Sequence, residues 1–112
     1  MGEKILVLDD EPLVLMTVER ALGKVGYEVR VAGDAGGFLD ALRAEKAALL
    51  IMDLHLGGTD MEALIEQAMR ISPGSQILFM SGSAPERPGN FLEKPFRIDD
   101  LRQKVRTMLD AH

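Results

Sequence analysis

The runs Ile5 to Leu8, Leu49 to Met52 and Ile77 to Met80 are each apolar at every position. A strand with one face in water alternates polar and apolar side chains, so a run with no polar position suits a strand covered on both faces. Each run stops at a polar residue: Asp9 and Asp10 after the first, Asp53 after the second, Ser81 after the third. Helical patterns lie between the runs, and strands alternating with helices call for parallel pairing, with helices packed on either side of the sheet. The expected class is α/β, doubly wound.

The rest of the chain fits that frame. Pro12 suits a first helical turn and Gly26 a helix end, which predicts a helix from about Pro12 to Val25. Glu28 to Val31 alternates as a short strand, and Asp34 is placed to cap a helix carrying Phe38, Leu39 and Leu42. Thr59 and Glu62 have capping-box spacing, so a third helix is expected from near Asp60 to just before Ser72-Pro73-Gly74. Phe91 and Leu92 make a fifth strand, and Ile98 to Leu109 a final amphipathic helix with Leu101, Val105, Met108 and Leu109 inward.

With 112 residues, 46% of them hydrophobic, the expectation is one domain over 1–112, with fold and function sharing one core. The longest apolar run, Ala47 to Met52, is too short to span a bilayer, and the start shows no signal-peptide pattern; the reading is a cytoplasmic protein with no membrane partner. Lack of cysteine removes disulfides, cysteine zinc sites and thiol catalysis, and a net charge of -5 argues against a nucleic-acid partner.

In parallel strands the residues that close each run gather at the carboxyl edge, where open α/β sheets bind ligands beside the point at which strand order reverses. A five-stranded, flavodoxin-like order of 2-1-3-4-5 puts that point between strands one and three, next to Asp9, Asp10 and Asp53. Three neighbouring carboxylates repel one another, and a hard divalent cation such as Mg²⁺ is the usual resolution. Asp53 is then a candidate nucleophile for a phosphoryl group, with Lys94 offsetting charge and Ser81 donating a hydrogen bond. Taken singly, each residue has a plainer reading: Asp10 and Glu11 as helix-start acids, Asp53 and Ser81 as turn residues, Lys94 as a solvated charge, His55 as a loop side chain. It is the ordered set that points to phosphoryl chemistry.

The segments "ILVLDDEP", "LLIMDLHL", "FMSGS" and "FLEKPF" resemble the receiver domain of two-component response regulators, over essentially the whole chain. The resemblance implies that Asp53 accepts a phosphoryl group from a histidine kinase or histidine phosphotransfer protein, or from a small acyl phosphate, and that a downstream protein target reads the result. It implies Mg²⁺ held by Asp10, Asp53 and the backbone carbonyl of His55, with Asp9 acting largely through water. Lys94 would contact the phosphoryl group, Ser81 would move toward it, and Phe91 would be the switch aromatic. The Lys94-Pro95 bond is often cis in such domains, and the side chains of His55 and Ser83 occupy places that tune the lifetime of the phosphoryl group.

Three positions depart from the family pattern. A proline and a glycine usual four and eight residues after the phosphoacceptor are here Gly57 and Met61, and Phe91 lacks a phenolic hydroxyl. The link from Gly82 to Asn90 is short for a parallel crossover and contains two prolines and two glycines, so the fourth helix of the family is expected to be missing or reduced to one turn. Two rival functions stay open at this point: a Mg²⁺-dependent phosphatase-type enzyme on the same carboxylates, and an interaction module that works without phosphorylation. The leading expectation is no separate enzyme, only a protein that accepts its own phosphoryl group and loses it again.

Overall fold

A computed structural model describes residues 2–82 and 90–111. Its strands are β1 (Lys4–Leu8), β2 (Glu28–Ala32), β3 (Leu49–Asp53), β4 (Gln76–Ser81) and β5 (Phe91–Glu93). Its helices are α1 (Pro12–Gly23), α2 (Ala35–Ala44), α3 (Met61–Ile71) and α4 (Ile98–Asp110). The strands form one parallel sheet in the order β2-β1-β3-β4-β5. This is the expected flavodoxin-like arrangement. The expectation of a missing or reduced fourth family helix falls on the link between β4 and β5, where residues 83–89, Ser83 among them, lie outside the described residues.

The all-apolar strands have the explanation that their pattern suggested. Ile5 and Val7 of β1, Leu49 and Ile51 of β3, and Leu78 and Met80 of β4 enter one core with Val18, Leu22, Leu101 and Val105 from α1 and α4. Leu6, Leu8, Leu50 and Met52 enter a second core with Phe38, Leu42, Leu64 and Ala68 from α2 and α3. Successive residues therefore feed opposite faces, and burying each large side chain contributes roughly 1.5–3 kcal/mol. In α4, Leu101, Val105 and Met108 are buried as expected, while Leu109 is half-buried at the margin of the first core.

One helix end and one capping residue differ from the sequence reading. Helix α1 stops at Gly23, because residues 24–26 turn back toward β2 and Gly26 takes φ +100°, a conformation that disfavours other residues. Helix α3 is capped by Asp60, whose carboxylate accepts from Ala63 N–H at 3.2 Å, and not by Thr59. A carboxylate one residue nearer the helix reaches the orphan amide first, and the Thr59 hydroxyl turns instead to the carbonyl of Gly57. Asp34 caps α2 as expected, accepting from Gly37 N–H at 2.7 Å. No helix among the described residues is long and apolar enough to cross a membrane.

Candidate functional site

Sheet register assembles the site. Leu8 pairs with Met52, so Asp9 and Asp53, one residue beyond each, end adjacent strands side by side. Asp53 pairs with Met80, and Ser81 follows; Ser81 pairs with Glu93, and Lys94 follows. Four separate strands thus deliver Asp9, Asp53, Ser81 and Lys94 to one edge, next to the reversal of strand order between β1 and β3.

Asp9, Asp10 and Asp53 each place a carboxylate oxygen within 4.8 Å of the others. Asp9 is fully buried and Asp53 is 4% exposed, while Asp10 faces solvent. Both oxygens of Asp9 are engaged: Oδ1 accepts from Glu11 N–H at 2.9 Å and Oδ2 from Lys94 Nζ at 2.7 Å. Asp53 is held differently. Its Oδ1 accepts from His55 N–H at 3.0 Å, and its Oδ2 faces Lys94 Nζ at 3.6 Å, a Coulombic contact longer than a good hydrogen bond.

Lys94 is the cation shared by this group, with Glu11 Oε1 also 3.7 Å away. Partial burial of its ammonium pulls its pKa down, but the hydrogen bond it donates to Asp9 and the charges of Asp9, Asp53 and Glu11 outweigh that and hold it above the ordinary lysine value. Its backbone N–H donates to the carbonyl of Ser81 at 2.7 Å, and the Lys94-Pro95 bond is cis, as the resemblance implied.

Strand parity separates Ser81 from that group. Asp9, Asp53 and Lys94 continue the alternation of Val7, Ile51 and Leu92, which enter the first core. Ser81 continues that of Ile77 and Phe79, which pack on the second. The Ser81 hydroxyl, in a residue 1% exposed, lies 2.8 Å from Nε2 of His55. Phe91, the expected switch aromatic, begins β5 opposite Phe79 and is half-buried.

Sequence reasoning named Asp9, Asp10, Asp53, Ser81 and Lys94 for one place, and the structure brings them to one edge. Two further residues contribute contacts. Glu11, which by itself reads as a helix-start acid, makes no side-chain cap bond, and its carboxylate turns to Lys94. The His55 side chain, which alone reads as a loop group and by resemblance as one that tunes phosphoryl lifetime, also reaches Ser81 across 26 residues of sequence. Adjacency to Asp10 is a signal for the first; for the second the resemblance marks the residue, but nothing in the sequence marks its contact with Ser81.

Comparison with known proteins agrees with this geometry. Residues 5–106 match the family model of the response regulator receiver domain. The chain is 32% identical to the nitrogen assimilation regulatory protein NtrX of Azorhizobium caulinodans, over 90% of this chain but only 25% of that protein's length. It is 29% identical to the response regulator receiver protein CpdR of Brucella abortus, over 97% of this chain and 98% of that one. A crystal structure of a Burkholderia pseudomallei response regulator with a phosphorylated aspartic acid, a calcium ion and citrate superposes with a TM-score of 0.82 at 28% identity, covering 97% of this chain and 69% of that one. With a family match over most of its length and the strand-end geometry to accompany it, this chain belongs to the response regulator receiver domain family of two-component signalling.

Proposed function

We propose that Asp53 is the phosphoacceptor of this receiver and that 1–112 acts as one signalling unit. The observation that carries the assignment is the asymmetric holding of a buried carboxylate. Asp53 Oδ1 is fixed by the backbone of its own loop, which leaves Oδ2 directed toward Lys94 beside two further carboxylates. Attack by Oδ2 on the phosphorus of a phosphohistidine or acyl phosphate forms an acyl phosphate, and the leaving imidazole or carboxylate departs with its electron pair. Lys94 stands where it can offset charge on the transferring oxygens, and Ser81 is one strand away as a hydrogen-bond donor.

The donor set suits a hard divalent cation. Three carboxylates lie within 4.8 Å of one another around a single ammonium, an excess of negative charge that oxygen-seeking Mg²⁺ matches. Asp10, Asp53 and the carbonyl of His55 would hold it, with Asp9 through water; when bound it supplies charge neutralisation on the phosphoryl oxygens. An apolar groove lined by Leu13, Val14, Pro95 and Phe96 borders Lys94 and Glu11, and it suits the face of a histidine-bearing helix delivering the phosphoryl group.

Phosphorylation replaces the single negative charge of the Asp53 carboxylate with a phosphoryl group of about −1.5 to −2 charges and shifts a pre-existing equilibrium that a downstream protein reads. The protein is then a switch and not a turnover enzyme. The test is incubation with acetyl phosphate and Mg²⁺ followed by intact mass and peptide mapping. One phosphoryl adduct on Asp53, absent in Asp53→Asn, is expected; an adduct that persists in Asp53→Asn sinks the assignment.

A further inference from the structure

We propose that His55 is a positioning residue that holds the Ser81 hydroxyl in its resting place, so that Ser81 must exchange an imidazole for a phosphoryl oxygen when the domain switches. This rests on the reading of Asp53 as the phosphoacceptor and concerns a different quantity from the lifetime of the phosphoryl group: the resting balance between the two positions of Ser81.

The geometry makes the exchange necessary. His55 Nε2 lies 2.8 Å from Ser81 Oγ, and the two side chains come from opposite circumstances, one exposed on a loop and one 1% exposed at a strand end. The ring is aimed by a backbone fixed on two strands. His55 N–H donates to Asp53 Oδ1 at 3.0 Å, and Leu54 N–H donates to the carbonyl of Met80 at 2.9 Å. The carboxylate that receives the phosphoryl group therefore also anchors the loop that holds the serine. By strand parity Ser81 belongs with the second core, away from the face of Asp9, Asp53 and Lys94.

A serine hydroxyl has one proton. If Nδ1 of the imidazole is protonated, Ser81 donates to Nε2 and cannot donate to a phosphoryl oxygen at the same time. If Nε2 is protonated, the ring donates to Oγ and pins the oxygen itself. In both tautomers a move of Oγ toward Asp53 breaks this bond. A single neutral hydrogen bond biases a two-state equilibrium by about three- to tenfold.

The test uses the full chain and beryllofluoride with Mg²⁺ as the phosphoryl probe. In the wild type, the His55 Nε2 resonance should move on adding beryllofluoride to the position it has in Ser81→Ala, reporting loss of the same partner. His55→Phe keeps an aromatic ring without either nitrogen; it should bind beryllofluoride about three- to tenfold more tightly, with the Gly82 amide already displaced toward its beryllofluoride-bound position. In a Ser81→Ala background the same substitution should change binding by less than about twofold. An Nε2 resonance unmoved by bound beryllofluoride overturns the proposal, as does a gain in His55→Phe that survives without the Ser81 hydroxyl. Because the Nε2 measurement is made without altering His55, it stands even if His55→Phe folds poorly. A wild type that gains no acetyl phosphate adduct overturns the phosphoacceptor reading and this proposal together; an adduct with unchanged Ser81 behaviour overturns this proposal alone.

Discussion

Lys94 Nζ donates to Asp9 Oδ2 at 2.7 Å, joining a carboxylate with no exposure at the end of β1 to an ammonium that follows β5, 85 residues later. The contact crosses the β3 strand end and brings Lys94 over Asp53 as well. It links the two ends of the site across the sheet edge.

That pairing sets an alkaline limit on stability. Folding raises the pKa of Lys94, so its contribution is fully present below the usual lysine value of about 10.4 and is lost as pH rises through the higher folded-state value. In Lys94→Met the buried Asp9 carboxylate keeps its bond from Glu11 N–H but loses its counter-charge, and about 2–4 kcal/mol of stability should go, somewhat below a fully buried pair because Lys94 is 17% exposed. Urea unfolding at a series of pH values checks both points: the wild type should weaken above the lysine range and the variant should show a flatter alkaline limb. An equally steep limb in Lys94→Met would assign the effect to another lysine or to Tyr27.

Cation binding should show as stabilisation. At Mg²⁺ ten times its dissociation constant, mass action contributes about 1.4 kcal/mol, or a rise in Tm of about 6 °C for a domain of this size. Asp10→Asn should remove that rise while increasing the Tm of the metal-free protein, since one of three mutually repelling carboxylates is neutralised. Thermal melts with Mg²⁺ and with a chelator give both values; an Asp10→Asn protein that keeps the full Mg²⁺ effect rules Asp10 out as a ligand.

The cap of α2 gives a prediction about the fold alone. Asp34→Ala deletes the acceptor for Gly37 N–H and should cost about 1 kcal/mol, with Asp34→Asn costing less because an amide oxygen still accepts. Denaturant midpoints of the two variants compare directly. Equal losses would mean that the carboxylate charge, and not the hydrogen bond, carries the cap.

Tyr27 carries a prediction with an unusual sign. Its ring is buried in the first core, 6% exposed, yet its hydroxyl has no hydrogen-bond partner among the described residues. Burial pushes the phenol pKa up, and the Arg106 guanidinium, 5.5 Å from the ring centroid, only partly offsets that. Tyr27→Phe removes a desolvated polar group without opening a cavity, so it should leave stability unchanged or raise it by up to about 1 kcal/mol. A loss greater than about 1 kcal/mol in calorimetry would show that the hydroxyl is satisfied in solution.

Apolar runs, capping residues and glycine breaks determined the kinds and order of the elements, because strand and helix periods are local properties of the chain. Ile5 to Leu8 could be assigned to both faces of a sheet from its lack of polar positions alone, and the polar residues closing β1, β3 and β4 marked the edge where chemistry gathers. The tertiary structure decided what those residues touch. Register put Asp9 beside Asp53, and the arrival of β5 next to β4 carried Lys94 to Asp9. Glu11 turned to Lys94, Asp60 displaced Thr59 as a cap, and the His55 ring found Ser81. Contacts between residues 26 or 85 positions apart depend on how strands align and where a loop is anchored, and neither leaves a periodic trace in the sequence.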